Sequence, residues 1–447
     1  METQEVASPL NFEKYGILVD ELDPIKINGE VTSVTGLMVE SSGPLTPVGS
    51  VCTISPKEGR GKEVEAEVVG IKNDKVLLMP LSESIGIQKG MIVKVKSILP
   101  MVNLSENLLG RVINGNSEFL DEGNYVPSAE MEIPLYKDPL NPLERGLITD
   151  PLDVGVGSIN SLFTIGKGQR MGIMAGSGVG KSVLLGMMAK NTTADVNVIA
   201  LIGERGREVM EFINDNLSEE SRKKSIIVVA TSDQPALVRI RATYLAITIA
   251  EYFRDTGKDV LLMMDSITRY AMSQREVGLF LGEPPTTKGY TPSVFSTIPK
   301  ILERVGNVKG KGSITGIFTV LIEGDDINDP IGDAVRSVVD GHIFLSRSIA
   351  AKGLYPSIDI LNSISRSMVA IVPPEHQKWA MQLKELVSVY QDSEDLINIG
   401  AYVKGTNPKI DRAIQMHDKI ENFLRQGMNE SRSFETSKNQ LAELMNS

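Results

Sequence analysis

A short stretch near the middle of the chain combines the residue types that bind a phosphate group. Between Met171 and Ala189 the sequence is MGIMAGSGVGKSVLLGMMA, which predicts a strand, a glycine-rich loop and a helix in that order. Glycines let successive backbone N–H groups turn toward one anion, and the start of the helix adds its positive dipole end. Such a loop binds nucleotide phosphates, with the lysine on the β- and γ-phosphates and the following hydroxyl on Mg²⁺.

The residues predicted to bind the nucleotide in this loop are consecutive. They are Gly176, Ser177, Gly178, Val179, Gly180, Lys181, Ser182 and Val183. Lys181 is the predicted phosphate-binding cation, and Ser182 is a predicted metal ligand. Ala175 stands where the pattern G-x-x-x-x-G-K-[ST] has its first glycine, and we expect this small residue to be tolerated. The alternative is a glycine-rich turn without a ligand, which the order of strand, loop, lysine, hydroxyl and helix disfavours.

Two acidic residues follow predicted buried strands elsewhere in the chain. Asp265 ends the apolar run VLLMMD, where a carboxylate could hold the water shell of Mg²⁺ or cap the next helix. The phosphate loop favours the metal role. Glu204, after VNVIALIG, could polarise the attacking water of γ-phosphoryl transfer or form a surface ion pair with Arg205 or Arg207. Spacing alone does not decide between these roles of Glu204.

The composition is that of a globular protein with several domains. The 447 residues correspond to about three domains, and 41% of them are hydrophobic. No run approaches the ~18 apolar residues of a membrane span, the N-terminus lacks a secretory signal, and the lone Cys52 cannot form an internal disulfide. We therefore expect a cytosolic protein. The net charge of −11 argues against a protein that coats nucleic acid.

Residue periodicity divides the chain into four predicted segments. Residues 1–24 form an acidic tail, and 25–98 show the period-two alternation of a small β-barrel or sandwich, as in EVEAEVV and MIVKVKSI. Short β-branched runs then alternate with helical patterns, which predicts an α/β domain with a connector and a mostly parallel, doubly wound sheet over 99–374. Apolar residues at helical spacing predict an α-helical domain over 375–447.

Seven segments together resemble one protein family. They are MAGSGVGKSVLLGMMA, LIGERGREVMEFI, VVATSDQPALVRIRA, LLMMDSITRYAMSQREVGL, GEPPTTKGYTPSVFSTIPKILERVGN, GDDINDPIGDAVRSVVDGHIFLSR and YPSIDILNSISRSM. From roughly Gly29 to Tyr402 their order resembles the flagellum-specific ATPase of the type III protein export apparatus. The resemblance implies a fold similar to the catalytic subunits of rotary ATP synthases, with an N-terminal β-barrel, a RecA-like P-loop domain and C-terminal helices.

The resemblance also implies roles for individual residues. It makes Glu204 the catalytic carboxylate, with Lys181 and Arg205 as supporting charges. It places Arg366, in SISRSM, as an arginine finger that reaches the γ-phosphate held by a neighbouring subunit. It places Tyr355, in LYPSID, as the aromatic residue that stacks on adenine. Without the family, Arg366 would be an ordinary surface charge and Tyr355 an ordinary core aromatic.

The implied function is Mg²⁺-dependent ATP hydrolysis that energises export of flagellar proteins. Because one chain contains Lys181, Glu204 and Arg366, a homohexamer of identical subunits could complete its own sites. The resemblance further implies a regulatory stator-like partner at the N-terminal tail, a central stalk-like protein, an export gate and substrate–chaperone complexes. It implies a location at the cytoplasmic face of the inner membrane and no nucleic-acid partner. Residues 279–281 would then face the stalk or the exported chain, whereas the plain interpretation is a surface loop.

Four other functions are compatible with parts of this pattern. A virulence injectisome ATPase has nearly the same motifs. The amino-acid sequences of AGSGVGKSVLLGMMA and TSDQPALVRIRA favour the flagellar version by resemblance. A rotary catalytic subunit is disfavoured because it takes its finger from a sister chain. An RNA-translocating hexamer also combines a barrel with a RecA-like domain, yet this barrel segment is neither basic nor rich in aromatics. The fourth is a non-enzymatic nucleotide-binding scaffold.

Overall fold

The computed structural model describes residues 27–57, 61–122, 131–322, 326 and 328–447. The chain divides into two compact units, Met1–Ile98 and Leu99–Ser447. The predicted acidic tail, residues 1–24, lies outside the described residues.

The first unit contains a closed six-stranded barrel with the strand order β1-β2-β5-β4-β3-β6, in which all pairs are antiparallel. Its strands are β1 Gly29–Thr35, β2 Met38–Ser41, β3 Val51–Ser55, β4 Val64–Lys72, β5 Lys75–Pro80 and β6 Ile92–Ser97. Alternate apolar side chains fill the interior, among them Val64, Ala66 and Val68, which are at most 5% exposed. Of the two architectures compatible with the alternation, the barrel is the one formed.

The second unit is built on an eight-stranded sheet with the order β18-β17-β12-β16-β15-β13-β14-β8. Its strands are β8 Val112–Asn114, β12 Arg170–Ala175, β13 Val196–Ile202, β14 Ser225–Ala230, β15 Asp259–Asp265, β16 Ser313–Leu321, β17 Gly341–Leu345 and β18 Ile358–Ser365. Two small antiparallel sheets pair β7 Met101–Leu104 with β9 Met131–Pro134 and β10 Pro151–Leu152 with β11 Ile165–Gly166.

The eight-stranded sheet is parallel throughout except for its edge strand β18, which runs antiparallel to β17. Every residue of β13 and β14 is buried, as expected for strands that are covered on both faces. This arrangement confirms the predicted α/β domain with a mostly parallel sheet. Because the strands share one direction, the loops after β12, β13 and β15 emerge at the same edge of the sheet.

The described helices belong to the second unit. They are α1 Gly157–Leu162, α2 Lys181–Asn191, α3 Gly206–Asp215, α4 Glu219–Lys223, α5 Ala236–Asp255, α6 Ile267–Phe280, α7 Pro292–Leu302, α8 Pro330–Arg336, α9 Arg347–Ala351, α10 Met368–Ile371, α11 Pro374–Asn398, α12 Pro408–Leu424 and α13 Phe434–Asn446. Short 3₁₀ turns span Glu106–Leu108, Pro142–Glu144 and Thr287–Gly289.

The last three helices confirm the predicted helical C-terminal region. On α12, Ala413, Ile420 and Leu424 lie at helical spacing and are at most 8% exposed, so one face packs into the core. Asn407 caps the start of α12, since its side chain accepts a hydrogen bond from Lys409 N. No helix within the described ranges combines the length and the apolar composition needed to cross a membrane.

A buried ion pair links α5 to the segment after α7. Arg304 is 1% exposed, and its Nε and Nη2 donate to the two carboxylate oxygens of Glu251 at 2.7 and 2.9 Å. The same guanidinium also donates to Thr248 Oγ1 and to the carbonyl of Leu135. The charges are therefore matched and hydrogen-bonded, which a buried pair requires.

Removing one member of this pair is expected to destabilise the second unit strongly. In Arg304→Met the buried Glu251 carboxylate loses its bidentate partner, which costs about 3 to 5 kcal/mol of unfolding free energy. Urea unfolding of the full chain measures the loss. The double variant Arg304→Met/Glu251→Leu is the control, because it removes both charges and should recover most of the stability. A loss below about 1 kcal/mol in Arg304→Met would contradict the prediction.

Candidate functional site

The glycine-rich loop connects the end of β12 to the start of α2. Gly178 and Gly180 have φ values of 78° and 88°, a region that favours glycine. Helix α2 begins at Lys181, and no side chain caps its N-terminus. Its first N–H groups and its dipole are therefore suited to an anion. Ala175 is the last residue of β12 and is 1% exposed, so a small side chain suits that position.

A cleft of about 690 Å³ opens beside this loop. The predicted residues that line it are Gly176, Ser177, Gly178, Gly180, Lys181, Ser182, Val183, Glu204 and Arg205. Val179 is 1% exposed, and its carbonyl accepts a hydrogen bond of 2.7 Å from Ser357 Oγ. This bond fastens the middle of the loop to the segment before β18.

Lys181 brings the loop together with both predicted acids. Its Nζ donates to Asp265 Oδ1 and lies 3.8 Å from Glu204 Oε1. The two acids approach each other because Leu201 of β13 pairs with Asp265 of β15, so both follow the same edge of the sheet. Ser266, and not Asp265, caps helix α6 by accepting a hydrogen bond from Arg269 N.

Glu204 has an unusual electrostatic environment. The pKa of its carboxyl is raised to about 7, mainly by burial and next by the nearby Asp265 carboxylate, while Lys181 acts in the opposite direction. A hydrogen bond with Glu208 contributes as well, and it lowers the pKa of Glu208. The protonated Glu204 is thus the donor and the ionised Glu208 the acceptor.

The two arginines after Glu204 contact other acids. Arg205 Nη1 lies 3.3 Å from Glu208 Oε1, and Arg207 Nε lies 2.6 Å from Glu211 Oε1. These pairs occupy the exposed side of α3, and side-chain exposures of 79% and 87% for the two arginines show that both face solvent. The ion pair of Glu204 with Arg205 or Arg207 that the sequence left open does not form, because these arginines pair with Glu208 and Glu211.

Tyr355 lies beside the phosphate loop. A Cβ built on Gly180 would stand 3.6 Å from Tyr355 Cδ1, so the ring borders the loop backbone. Tyr355 is 44% exposed, which is unlike a core aromatic.

Arg366 is not brought to the loop of its own chain. It is exposed and follows Ser365, which pairs with Gly341 at the start of β17, and Gly341 in turn pairs with Met171 at the start of β12. The phosphate loop follows the other end of β12, about 17 Å away at roughly 3.3 Å per residue. Arg366 and the loop therefore lie at opposite edges of the sheet.

Several cleft residues were not found from the sequence. They are Glu208, Thr268, Arg269, Met272, Arg275, Lys288, Tyr290, Leu321, Ile322, Asp329 and Arg347. Glu208 could have been found, because it lies one helical turn after Glu204. Arg269 likewise follows Asp265 by four residues. The others come from helix α6, the end of β16 and separate loops, and they have no local spacing to the phosphate loop.

Three family profiles match successive parts of the chain. The profile of the ATP synthase alpha/beta family, nucleotide-binding domain, matches residues 155–365. The beta-barrel domain of the same family matches 31–95. The T3SS EscN ATPase C-terminal domain matches 372–443.

Individual relatives cover nearly all of the sequence. The flagellum-specific ATP synthase of Bacillus subtilis is 51% identical over 94% of this chain and 95% of its own length. That of Pseudomonas aeruginosa is 49% identical over 94% of this chain and 93% of its own length. The assembled ATPase EscN from the enteropathogenic E. coli type III secretion system superimposes with a TM-score of 0.89 at 44% identity, covering 93% of this chain and all of that one. The chain therefore belongs to the family of flagellum-specific ATP synthases, within the ATP synthase alpha/beta family.

Proposed function

We propose that this chain is a Mg²⁺-dependent ATPase that works as a homohexameric ring and energises export of flagellar proteins through a type III secretion apparatus. The observation that supports it most is the convergence of Lys181, Glu204 and Asp265 beside the phosphate loop. A cation for phosphates, a metal-holding acid and a base are the parts that phosphoryl transfer needs. The names of the relatives support the export role.

The proposed nucleotide site uses the loop and the aromatic beside it. The backbone from Gly176 to Val183 surrounds the phosphates, with Lys181 on the β- and γ-phosphates, and Tyr355 stacks on adenine. Ser182 and Asp265 offer hard oxygen ligands, which suit Mg²⁺ together with phosphate oxygens. Bound there, Mg²⁺ would neutralise charge on the β- and γ-phosphate oxygens.

The proposed chemistry assigns the attacking water to Glu204. As a carboxylate it accepts a hydrogen bond from that water and orients it toward the γ-phosphate. Its Oε1 lies 3.8 Å from Lys181 Nζ and accepts no hydrogen bond from the described residues, so its capacity to accept one is unused. Arg205 adds positive charge at the cleft.

The catalytic arrangement is completed by a second subunit. Arg366 lies at the sheet edge remote from its own loop, so it acts on the γ-phosphate of a neighbour. Such fingers stabilise the charge of the transition state. This requirement favours a closed ring, in which every site receives one finger.

We extend the proposal to partners and location. A regulatory stator-like protein binds the tail, a central stalk-like protein enters the ring, and the export gate and substrate–chaperone complexes meet it at the cytoplasmic face of the inner membrane. EscN has been solved with its central stalk EscO, which supports the stalk. The proposed division of the chain is tail 1–24, barrel 25–98, nucleotide-binding domain with connector 99–374 and helical domain 375–447.

Residues 279–281 are proposed to face the stalk or the exported chain. Leu279 and Phe280 are 44% and 43% exposed, which is unusual for large apolar side chains. Replacing Leu279, Phe280 and Leu281 by alanine is expected to reduce secretion while ATP hydrolysis persists. Secretion assayed in cells measures this, and intact export would refute the proposed contact.

An injectisome ATPase is the second candidate, favoured by the match of the EscN C-terminal domain to residues 372–443. The two candidates share the site chemistry and differ in the exported proteins. A strain that lacks this chain and loses flagellin secretion supports the flagellar function.

The pH dependence of hydrolysis tests the role of Glu204. Because only the carboxylate accepts a proton, kcat/KM should fall about tenfold per pH unit below the pKa of about 7. Glu208→Ala removes the negative acceptor that favours protonated Glu204, so it should move the fall to lower pH. Initial rates of phosphate release from about pH 5.5 to 8.5 measure both.

Two further variants complete that experiment. Glu204→Gln should lose most activity, and its residual kcat/KM should not fall below a pH of about 7 as that of the unchanged protein does. Glu211→Gln, on the exposed side of α3, is the control and should leave the profile unchanged. Full activity in Glu204→Gln would count against the proposed base and would favour a different water-orienting group.

A further inference from the structure

Thr319 lies beside Asp265 on the neighbouring strand of the sheet. It belongs to β16, which pairs with β15, and its side chain is fully buried. Its hydroxyl donates to Asp265 Oδ1 at 2.7 Å, and the carbonyl of Met264 lies 3.2 Å away. A hydroxyl in this apolar strand could be satisfied by the carbonyl alone, yet the shorter contact is with the carboxylate.

Two donors share one oxygen of Asp265. Lys181 Nζ and Thr319 Oγ1 both contact Oδ1. In the proposed nucleotide complex Lys181 serves the β- and γ-phosphates, so it is withdrawn from Asp265. The Thr319 hydroxyl does not depend on the nucleotide and can keep the carboxylate in one orientation, with Oδ2 left for the water shell of a metal.

We infer that Thr319 is a positioning residue for the metal site, because its hydroxyl fixes the carboxylate of Asp265. This inference rests on the proposed role of Asp265. Groups that orient a metal-binding carboxylate commonly contribute 10- to 100-fold to metal affinity. Thr319 should therefore set the Mg²⁺ requirement of the protein while it leaves Mg²⁺-free nucleotide binding unchanged.

The same strand supplies a matched control. Thr315 is 1% exposed and lies four residues earlier on β16, so it shares a strand face with Thr319. Its Oγ1 accepts a hydrogen bond from Gly168 N at the opposite edge of the sheet, remote from Asp265. Thr315→Val and Thr319→Val remove the same hydroxyl from similar surroundings, but only the second touches the carboxylate.

The experiment compares Thr319→Val, Thr319→Ser, Thr315→Val and Asp265→Asn in the full chain. Free Mg²⁺ at half-maximal hydrolysis is one readout. The affinity for a fluorescent ATP analogue with Mg²⁺ and with EDTA is the second, and the melting temperature is the third. Thr319→Val should raise the Mg²⁺ requirement roughly tenfold and weaken nucleotide binding only when Mg²⁺ is present. Thr319→Ser should restore both values, and Thr315→Val should change only the melting temperature.

The outcomes separate this inference from the proposed function. If Asp265→Asn raises the Mg²⁺ requirement and Thr319→Val does not, Thr319 has only a structural role and the inference is wrong. If Asp265→Asn leaves the requirement unchanged, the metal assignment of Asp265 fails and the inference fails with it. Should Thr319→Val not fold, Thr319→Ala provides the same comparison with a smaller side chain.

Discussion

Lys181→Ala is expected to lower ATP turnover on the order of 10³-fold and to stop secretion of flagellin at normal protein level. Lys181 is the cation that lies between the phosphate loop and the carboxylates of Glu204 and Asp265. Without the Lys181 ammonium group, the carboxylates of Glu204 and Asp265 face the phosphates and α2 provides no positive side chain to offset the repulsion. Phosphate release by the purified protein, and flagellin secreted by cells whose only copy carries the change, measure the effect.

The same helix offers a control for Lys181→Ala. Lys190 lies in the last turn of α2, and its Nζ donates to the carbonyl of Asp215 on the surface. Lys190→Ala removes an equal charge far from the cleft and should leave both hydrolysis and secretion intact. Wild-type hydrolysis in Lys181→Ala would contradict the proposed phosphate site. Lost hydrolysis with unchanged secretion would instead show that export does not depend on this ATPase.

Arg366→Ala should lose between about 10³- and 10⁵-fold in turnover while it binds ATP normally, which is the range of known arginine fingers. Binding persists because Arg366 and the phosphate loop of its own chain lie at opposite edges of the sheet, separated by at least the length of β12, about 17 Å. Nucleotide affinity and turnover measured on the same preparation separate the two effects. Near-normal turnover would remove the finger assignment.

Mixed rings provide the sharper form of this test. Arg366→Ala subunits contain an intact phosphate loop, and Lys181→Ala subunits contain an intact finger. Mixing the two inactive variants should therefore recover part of the activity at the interfaces where loop and finger meet. A subunit with both substitutions, mixed with Arg366→Ala, should recover none. Failure of the first mixture to recover activity would exclude a finger that acts between subunits.

How much of the candidate site the sequence could predict depends on how local each feature is. The phosphate loop is one run of consecutive residues, so its strand, glycines, lysine and helix could be recognised together. Asp265 and Glu204 could be found because each follows a buried strand. Tyr355 and Arg366 required the family resemblance, since neither has a local pattern that distinguishes it from a core aromatic or a surface charge.

The residues that were missed are near the loop only in three dimensions. Arg275, Lys288 and Asp329 reach the cleft from α6, from the 3₁₀ turn after it and from the start of α8. Thr319 lies in the buried strand β16, and its proposed role depends on the Asp265 side chain of the neighbouring strand β15. Sequence spacing within one element cannot report such contacts between elements.

The barrel shows a second limit of periodicity. Alternation along MIVKVKSI predicts Val93 and Val95 on the inner face, and Val93 is fully buried, but Val95 is 38% exposed. The pairing of β3 with β6 shifts register between Val51 and Cys52, and this bulge lies beside Val95. The extra residue of this bulge is on β6, because Cys52 pairs with Val95 and Val51 pairs with Ser97. The apolar pattern of β6 alone does not show where the pairing with β3 shifts.

The separation of Arg366 from the phosphate loop gives each subunit two different ends. With the finger acting between chains as proposed, one edge of the sheet provides the finger and the opposite edge provides the phosphate loop. In a head-to-tail row each contact then completes one site, and the phosphate loop of one terminal subunit is left without a finger. Closing the row into a ring removes this incomplete site. Every site in the ring then depends on the finger of the neighbour on the same side, so the ring has a direction.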